Sequence, residues 1–228
     1  MLVVSLRSAV CLLGRFPALA GADLDVEDGE ILLVAGANGA GKTTLLRCCA
    51  GLLPLRTGTL TVLGHDLARD RRAVRRSVAL VGHETFCYDD LTVAENLRFA
   101  ARAAGRRDVD VAALLERVGL DRQAGVAHGR LSQGQRRRLS LGIALSRDPK
   151  LVLLDEPHAG LDTEGRAVVD AVVAAAPAEG RTVLIASHEL DLVRTLATRE
   201  VQIVDGRIFP ATAPTTAPRP APEVEVTP

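Results

Sequence analysis

Short apolar runs alternate with segments of helical hydrophobic spacing along most of the chain. Three runs are almost wholly apolar, as strands are when both faces of a parallel sheet are covered; they span Ile31–Ala35, Leu151–Leu154 and Thr182–Ala186. A segment predicted to be helical follows each run, namely Lys42–Gly51, Arg166–Ala176 and Leu190–Ala197. This alternation predicts an α/β fold, with a mainly parallel core sheet covered by helices on both faces.

The hydrophobic pattern changes on either side of this core and in its middle. Alternation over Leu2–Val26 predicts two or three short strands, and Thr57–Val62 alternates like a hairpin strand. Over Thr92–Gly129 the apolar residues recur at helical spacing, which indicates a helical insert within the α/β domain. A further helix is predicted over Leu139–Ser146 and a final hairpin over Val201–Phe209.

Composition divides the chain at about residue 209. Six of the eleven prolines fall in residues 210–228, mixed with Ala and Thr. Such a segment cannot bury enough apolar surface to order itself. We therefore predict one folded domain over residues 1–209 and a disordered tail over residues 210–228.

Overall composition narrows the class of protein. Hydrophobic residues make up 47 % of the 228 residues and aromatic residues 2 %, so the core is predicted to be aliphatic. Because the formal net charge is zero and the only basic patch that we single out is Arg136–Arg138, we expect no nucleic-acid partner. The four cysteines lack the spacing of metal ligands, which favours a reducing compartment. We predict neither a signal peptide nor a membrane-spanning segment.

The strongest candidate for chemistry is the segment Gly36–Thr44, directly after the first apolar run. Its sequence GANGAGKTT fits G-x-x-x-x-G-K-[ST]. In this motif the backbone N–H groups turn toward a phosphate chain, and the next helix directs its positive end at the anion. Lys42 is placed to reach the β- and γ-phosphates, and the Thr43 hydroxyl to bind Mg2+. The predicted nucleotide contacts are Gly36, Asn38, Gly39, Gly41, Lys42, Thr43 and Thr44.

Two adjacent carboxylates follow the apolar run Leu151–Leu154. Asp155 and Glu156 therefore lie at the carboxyl end of a predicted buried strand, the edge at which open α/β sheets bind their ligands. We predict that Asp155 holds Mg2+ and that Glu156 polarises the attacking water. Acidic residues at strand ends are also ordinary helix caps, so this pair gains weight from the phosphate loop that precedes it.

The segment Leu131–Gln135 decides between these interpretations. Its sequence LSQGQ resembles the LSGGQ signature of the ABC (ATP-binding cassette) ATPases, with Gln133 in place of the first Gly. The phosphate loop, this signature, Asp155-Glu156, the segment Ala159–Asp162 and Ser187-His188 follow one another in the order of that family. The resemblance covers residues 2–209, all but the tail.

The resemblance implies a fold, two cofactors and two partners. It implies an ABC-type P-loop NTPase with an antiparallel N-terminal β-subdomain and a helical subdomain at about residues 92–147. Two copies would dimerise head to tail, so that Lys42 of one and Ser132 of the other enclose the same ATP, bound with Mg2+. Asp162 would couple the two sites, and His188 would contact the γ-phosphate. Ser132, Gly134, Gln135 and Asp162 thereby join the predicted nucleotide contacts.

The same resemblance implies a place in the cell. Members of the family that lack a fused membrane domain work with a separate integral membrane permease. We therefore expect a homodimer that is bound peripherally to such a permease at the cytoplasmic face of the cell membrane.

Two positions depart from the family pattern. His83 stands where the family carries a Gln that helps to bind Mg2+, and we expect it on the metal side of the site; the alternative is a solvated loop histidine. Leu13 stands where the family carries the aromatic residue on which adenine stacks. Phe16 is the only aromatic residue nearby; one alternative is that it substitutes as the stacking residue, but we expect it to pack in the core. We also expect His128 and His158 to be surface or loop residues.

The cargo is open at this stage. Gly82-His83-Glu84, followed by the segment Leu91–Phe99, is similar to a stretch of the haem-exporter ATPases of cytochrome c maturation. The alternatives are an ABC exporter subunit for another cargo and a soluble ABC ATPase of DNA repair or translation. An unrelated phosphate-loop kinase or binding module is the third, and it would have no use for Leu131–Gln135.

Overall fold

The computed structural model describes residues 1–82 and 87–211. The position of His83 and the predicted tail beyond residue 211 lie outside these ranges. Within them the strands are β1 (Leu2–Leu13), β2 (Phe16–Glu27), β3 (Ile31–Ala35), β4 (Thr57–Val62), β5 (His65–Asp66), β6 (Val78–Val81), β7 (Leu151–Asp155), β8 (Thr182–Ser187), β9 (Arg199–Val204) and β10 (Arg207–Pro210). The α-helices are α1 (Lys42–Cys49), α2 (Val93–Ala103), α3 (Val111–Arg117), α4 (Gln133–Ser146), α5 (Thr163–Ala175) and α6 (Leu190–Val193).

The strands form two sheets. The first is antiparallel, with the order β2-β1-β4-β5. The second has the order β10-β9-β3-β8-β7-β6 and is parallel except for β10. Strands β3, β7 and β8 are buried at every residue, as their unbroken apolar runs predict. The carboxyl ends of all three therefore meet at one edge of the sheet.

The central sheet separates two hydrophobic cores. Alternate residues of β3 enter each core, as the two-residue period of a strand requires. Leu32 and Val34 pack with α1 and the antiparallel sheet, whereas Ile31 and Leu33 pack with helices α2 to α5. Both cores are aliphatic. The aromatic residues of the described part are all exposed, at 80 % for Phe16, 54 % for Tyr88, 49 % for Phe99 and 48 % for Phe209. The expectation that Phe16 packs in the core is wrong.

Several element boundaries differ from those predicted by periodicity. The N-terminal segment forms two twelve-residue strands rather than two or three short ones, because register shifts let β1 bend without breaking. Helix α4 begins at Gln133, six residues before the predicted start. Its first two turns lack an apolar stripe, and Ser132 caps them instead. Helix α6 ends at Val193, and turns continue the chain to β9.

Candidate functional site

The carboxyl edge of the parallel sheet gathers the first group of predicted site residues. The phosphate loop follows β3, His188 follows β8, and Asp155 ends β7 with Glu156 directly after it. These three strands are neighbours in the order β3-β8-β7. Sequence positions more than a hundred residues apart therefore converge on one place.

The phosphate loop packs closely against the backbones of β9 and β2. A Cβ atom added at Gly36 would lie 2.5 Å from the carbonyl oxygen of Ile203 in β9. At Gly41, where φ is +115°, it would lie 2.4 Å from the carbonyl oxygen of Ala18 in β2. Both contacts are with backbone atoms, so a side chain at either position would displace the loop. Asn38 and Gly39 form its exposed rim.

Lys42 lies beneath this loop with only 6 % of its side chain exposed. Its Nζ donates to the carbonyl oxygens of Gly36 (2.7 Å) and Ala37 (3.2 Å). The same ammonium lies 3.7 Å from Oε1 of Glu156. The structure thus brings together the predicted phosphate-binding cation and the predicted water-activating carboxylate.

Thr43 and Asp155 contact each other directly. The Thr43 hydroxyl donates to Oδ2 of Asp155 at 2.8 Å, and Asp155 is buried at the end of β7. Two hard oxygen atoms at the mouth of a phosphate loop are the kind of ligand that Mg2+ takes from proteins, together with water and substrate phosphates. Thr44 is buried in the first turn of α1.

Glu156 adopts a left-handed backbone conformation, with φ +50°. Its N–H donates to the carbonyl oxygen of Ala186 (2.8 Å). Its Oε2 accepts from the Ser187 hydroxyl and from the N–H of His188, both at 3.3 Å. The His188 Nδ1 lies 2.9 Å from the same oxygen. The carboxylate is therefore held from the end of β8, while His188 itself stays half exposed.

Arg137 of α4 supports the same turn and was missed at the level of sequence. Its guanidinium donates to the carbonyl oxygens of Asp155 (2.6 Å), Glu156 and Pro157 (3.0 Å). Burial lowers the pKa of this guanidinium, while the carboxylates of Asp155 and Glu156 oppose the shift. No regular spacing in the sequence links α4 to this turn, so only the fold reveals the contact.

The basic run Arg136–Arg138 is consequently not an exposed patch. None of its three side chains is classed as exposed. Arg136 donates to the carbonyl oxygens of Leu131 and Gly129, and Arg138 donates to that of Gly119. These guanidiniums fasten the start of α4 to its surroundings, which is why the polar first turns remain helical.

A second group of predicted residues lies around the start of α4 and α5. The Ser132 Oγ accepts from the Gln135 N–H (3.2 Å), and the Gln135 Oε1 accepts from the Ser132 N–H (3.0 Å), which is a capping box. Asp162 caps α5 by accepting from the Gly165 N–H at 2.8 Å. Gly134 packs against Leu161, since an added Cβ would lie 3.4 Å from its Cδ2 atom.

Arg137 of α4 links the two groups, but their own side chains do not contact one another in the described ranges. Within the described ranges, no side-chain hydrogen bond or ion pair connects Ser132, Gly134, Gln135 or Asp162 with Lys42, Thr43, Asp155, Glu156 or His188. Ser132 and Asp162 are exposed. Each group is thus held by its own set of bonds, and we call the first the Lys42 surface and the second the Ser132 surface.

Two histidines that we expected on the surface are buried and paired. His158 is 1 % exposed, and its Nε2 lies 2.7 Å from Oδ1 of Asp170 in α5. His128 is 4 % exposed, and its Nδ1 lies 2.7 Å from Oδ1 of Asp89. The paired residues are 12 positions apart for His158 and Asp170 and 39 for His128 and Asp89.

A cleft borders one side of the phosphate loop, and the start of β2 borders another. A cleft of about 370 Å³ is lined by Gly36, Ala37 and His188, among others. The backbone carbonyl of Ala18 faces Gly41, so the start of β2 lies beside the loop. Phe16 is the first residue of β2, and its side chain is exposed. It pairs in register with Leu13, the position at which the family pattern predicts an aromatic residue.

Residues 19–159 match a family model described as ABC transporter, over more than half of the chain. This chain belongs to the ABC transporter family. As a member of it, the protein is an ATP-binding ATPase.

Relatives within the ABC transporter family differ in the cargo that their names give. The chain is 38 % identical over 204 residues to the methionine import ATP-binding protein MetN of Caulobacter vibrioides, covering 86 % of this chain and 61 % of that protein. It thus spans less than two thirds of this relative's length. It is 39 % identical over 186 residues to the cytochrome c biogenesis ATP-binding export protein CcmA of Bordetella bronchiseptica, covering 81 % of this chain and 83 % of that protein. These matches do not single out the haem-exporter subfamily.

Solved structures confirm the predicted ABC-type fold. One is a dimeric ATP-binding cassette in a post-hydrolysis state, bound to ADP and Pi. It superposes with a TM-score of 0.81 at 22 % identity, covering 90 % of this chain and 96 % of that one. At this identity the likeness concerns the fold alone. The antiparallel sheet, the mainly parallel sheet and the helical region correspond to the expected parts.

Proposed function

We propose that this ABC ATPase is the motor subunit of a membrane transporter, acting as a head-to-tail dimer that binds ATP between its two copies. The observation that carries the proposal is the division of the site residues into two separate surfaces of one chain. The Lys42 surface can hold the phosphates but lacks Ser132, and the Ser132 surface has no phosphate loop. Two antiparallel copies bring each surface against the other and form two equivalent sites.

The Lys42 surface carries out the chemistry in this proposal. The loop N–H groups and the Lys42 ammonium bind the β- and γ-phosphates, replacing the contacts that Lys42 makes with Gly36 and Ala37. The Glu156 carboxylate, held 3.3 Å from the His188 N–H, accepts a proton from the attacking water. His188 is exposed beside it and contacts the γ-phosphate.

Thr43 and Asp155 would hold Mg2+. Their oxygen atoms already lie 2.8 Å apart at the mouth of the loop. A bound Mg2+ supplies positive charge that offsets the negative charge of the phosphates during transfer. Within the described ranges no three His, Cys, Asp or Glu residues cluster as a self-contained metal site. This agrees with a cation that is held by few protein groups and by the nucleotide.

The Ser132 surface completes the site of the other copy. The Ser132 Oγ uses a lone pair to accept from the Gln135 N–H, so its O–H remains available to donate to a γ-phosphate. The N-terminal end of the fourteen-residue α4 adds a favourable dipole. Gln133, the departure from the family signature, packs against Gly160. Asp162 lies beyond that glycine, where it would contact the second copy.

A groove beside β6 fits the proposed permease. It is about 180 Å³ in volume and is lined by Leu80, Tyr88, Phe99, Ile143 and Arg147, among others. The Tyr88 and Phe99 rings lie 5.0 Å apart, edge to face, and about half of each residue is exposed. Two exposed aromatic rings in a chain so poor in aromatics mark a protein-binding surface. No helix within the described ranges is long and apolar enough to cross a membrane.

We propose the cytoplasmic face of the cell membrane as the site of action and haem export for cytochrome c maturation as the candidate transport process. The CcmA relative and the Gly82-His83 pair support this process, whereas the MetN relative supports another cargo. The test is to tag the chain, solubilise membranes gently and identify the proteins that co-purify. A small multi-span partner with haem-handling proteins supports haem export, and a different permease excludes it. Absence of any membrane protein would favour a soluble ABC ATPase.

The ATP-binding role itself is tested with the two lysines of the chain. Lys42→Ala should abolish measurable ATP binding, because the phosphates lose their positioned cation. Lys150→Ala is the matched control, since Lys150 is exposed and lies away from the loop. Binding of a fluorescent ATP analogue that survives in Lys42→Ala as in the control would contradict the assignment.

A further inference from the structure

Five arginines lie on the surface between β5 and β6. We call Arg69, Arg71, Arg72, Arg75 and Arg76 the arginine cluster; all five are exposed. They accompany a short 3-10 helix, Ala73–Arg76, whose buried Val74 anchors the segment to the core. The basic run Arg136–Arg138 differs from this cluster, because its guanidiniums bond to backbone carbonyls.

Few acidic groups offset this cluster. Asp66 lies 3.4 Å from Arg69, and Asp70 accepts from the backbone N–H of Arg72. In the part of the chain that the structure describes, no carboxylate lies within ion-pairing distance of Arg71, Arg72, Arg75 or Arg76. A chain with zero formal net charge therefore presents a local surface with an excess of positive charge.

The cluster is separate from the nucleotide site. It precedes β6, at the amino-terminal edge of the parallel sheet, whereas the phosphate loop lies at the carboxyl edge. The carbonyl oxygen of Arg71 packs against Gly51, where an added Cβ would meet it at 2.5 Å. Gly51 follows the C-terminal end of α1, and the loop precedes its start. The eight-residue helix, about 12 Å long, therefore separates these arginines from the phosphates.

The cluster adjoins the aromatic groove. Arg147 lines the groove, and its guanidinium donates to the carbonyl oxygen of Arg75. On the other side of the cluster, a shallow depression of about 520 Å³ is lined by Arg69, Arg71, Arg72, Arg75 and the half-exposed Leu52. Protein surfaces that lie at a lipid interface typically combine guanidinium groups with exposed apolar side chains.

We propose that the arginine cluster binds the anionic lipid headgroups of the membrane beside the permease. The proposal rests on the proposed function, in which the groove faces the permease and the neighbouring surface therefore faces the membrane. Charge complementarity selects the ligand, because planar guanidiniums bind phosphate oxygens bidentately and clusters of four to eight basic residues at a membrane are attracted by its negative surface potential. The breadth and shallowness of the surface suit a sheet of headgroups.

The experiment uses the purified full chain and vesicles without any permease. Sedimentation is compared between vesicles of phosphatidylcholine alone and vesicles in which about a third of the lipid is phosphatidylglycerol. The cluster variant carries Arg71→Gln, Arg72→Gln, Arg75→Gln and Arg76→Gln. A control variant with the same charge change carries Arg102→Gln, Arg107→Gln, Arg122→Gln and Arg207→Gln, which are exposed positions elsewhere on the chain. The ATPase rate of each variant without vesicles reports on folding.

Wild type and control should bind the anionic vesicles and not the neutral ones, and the cluster variant should bind at least about tenfold less. Added salt should weaken the binding, as screening requires. Equal binding by the cluster variant and wild type would overturn the proposal, as would preferential binding of a single-stranded oligonucleotide over anionic vesicles. Because the vesicles hold no permease, this result is independent of which membrane protein co-purifies with the chain.

Discussion

Arg137 connects the two halves of the proposed site within one chain. It projects from α4, the helix that Ser132 caps, and its guanidinium bonds to the three carbonyls around Glu156. Glu156 has φ +50°, a conformation that is uncommon for a residue with a side chain. We infer that Arg137 is a positioning residue, which holds this turn so that the carboxylate faces the phosphate loop.

Arg137→Lys should lower kcat about tenfold or more while leaving the Kd for ATP unchanged. A single ammonium cannot donate to three carbonyls in the arrangement of a guanidinium, and a partly buried carbonyl that loses its donor costs about 1–3 kcal/mol. Arg138→Lys is the matched control, since Arg138 bonds to Gly119 instead. Steady-state ATPase kinetics measure kcat, and a separate nucleotide-binding titration measures the Kd for ATP. A folded Arg137→Lys protein with wild-type kcat would refute the role.

Phe16→Ala should raise the Kd for ATP by about tenfold, because stacking of a base on an aromatic ring contributes about 1–3 kcal/mol. Phe16→Tyr should retain wild-type affinity. Phe99→Ala serves as the control, since Phe99 is another exposed phenylalanine and lies in the groove beside β6. Fluorescence titration of the purified chain gives the three values. Unchanged affinity in Phe16→Ala would leave adenine without this stacking partner.

Local motifs were the part of the site that the sequence could predict. Lys42, Thr43, Asp155 and Glu156 follow from short motifs because their spacing serves a single ligand, and the structure brings them together. The pairing of His158 with Asp170, the exposure of Phe16 and the bonds of Arg137 depend on which elements pack together. The spacing of residues along the sequence does not predict which elements will pack together.

At the level of elements, Asp148 joins the loop after α4 to the loop after α2 and to the segment before β8. Its Oδ2 accepts from Arg106 after α2 (2.8 Å) and its Oδ1 from Arg181 before β8 (3.1 Å). Hydrogen bonds from Arg106 and then from Arg181 hold the pKa of this carboxyl below its ordinary value. The charged form therefore stabilises the fold above about pH 4, and this contribution is lost as the pH falls through the folded-state pKa.

Asp148→Asn should lower the free energy of unfolding at pH 7 by less than about 1 kcal/mol, since the side chain is half exposed and solvent screens its ion pairs. Asn tolerates the left-handed backbone at this position, where φ is +54°. The difference from wild type should shrink below about pH 4. Urea unfolding at several pH values checks it, with Asp108→Asn, an exposed position, as the control. A difference that does not change with pH would point to a cause other than the carboxyl charge.

Sequence patterns located some element boundaries well and others poorly, for reasons that the structure makes clear. Apolar runs located β3, β7 and β8 closely, because full burial leaves a signal at every residue. Helix α4 began six residues early because a capping box and guanidinium–carbonyl bonds, not an apolar stripe, stabilise its first turns. Hydrophobic periodicity cannot predict such bonds, because they leave no apolar pattern in the sequence.

At the scale of the whole molecule, the side chains that stabilise the core differ in type from those that lie on the proposed functional surfaces. Aliphatic residues fill both cores, and the described aromatic residues all lie on the surface, with Tyr88 and Phe99 in the groove beside β6. Arginines divide similarly, since Arg136–Arg138 bond to the backbone while the arginine cluster stays exposed. The family could be identified from the sequence. The surfaces that we propose for the nucleotide, the permease and the membrane could be located only from the structure, because each combines residues from separate parts of the sequence.

The central claim is that two copies enclose ATP between Lys42 of one and Ser132 of the other. The most direct measurement is the molar mass in solution of Glu156→Gln with ATP and Mg2+, since loss of hydrolysis should trap the ATP-bound dimer. Adding Ser132→Asp keeps the helix cap but places a carboxylate toward the γ-phosphate, and adding Ser132→Asn keeps the cap without the charge. The account predicts a dimer for Glu156→Gln alone and with Ser132→Asn, and an ATP-bound monomer with Ser132→Asp. A Glu156→Gln chain that binds ATP and stays monomeric, or equal dimerisation with Ser132→Asp, would contradict it.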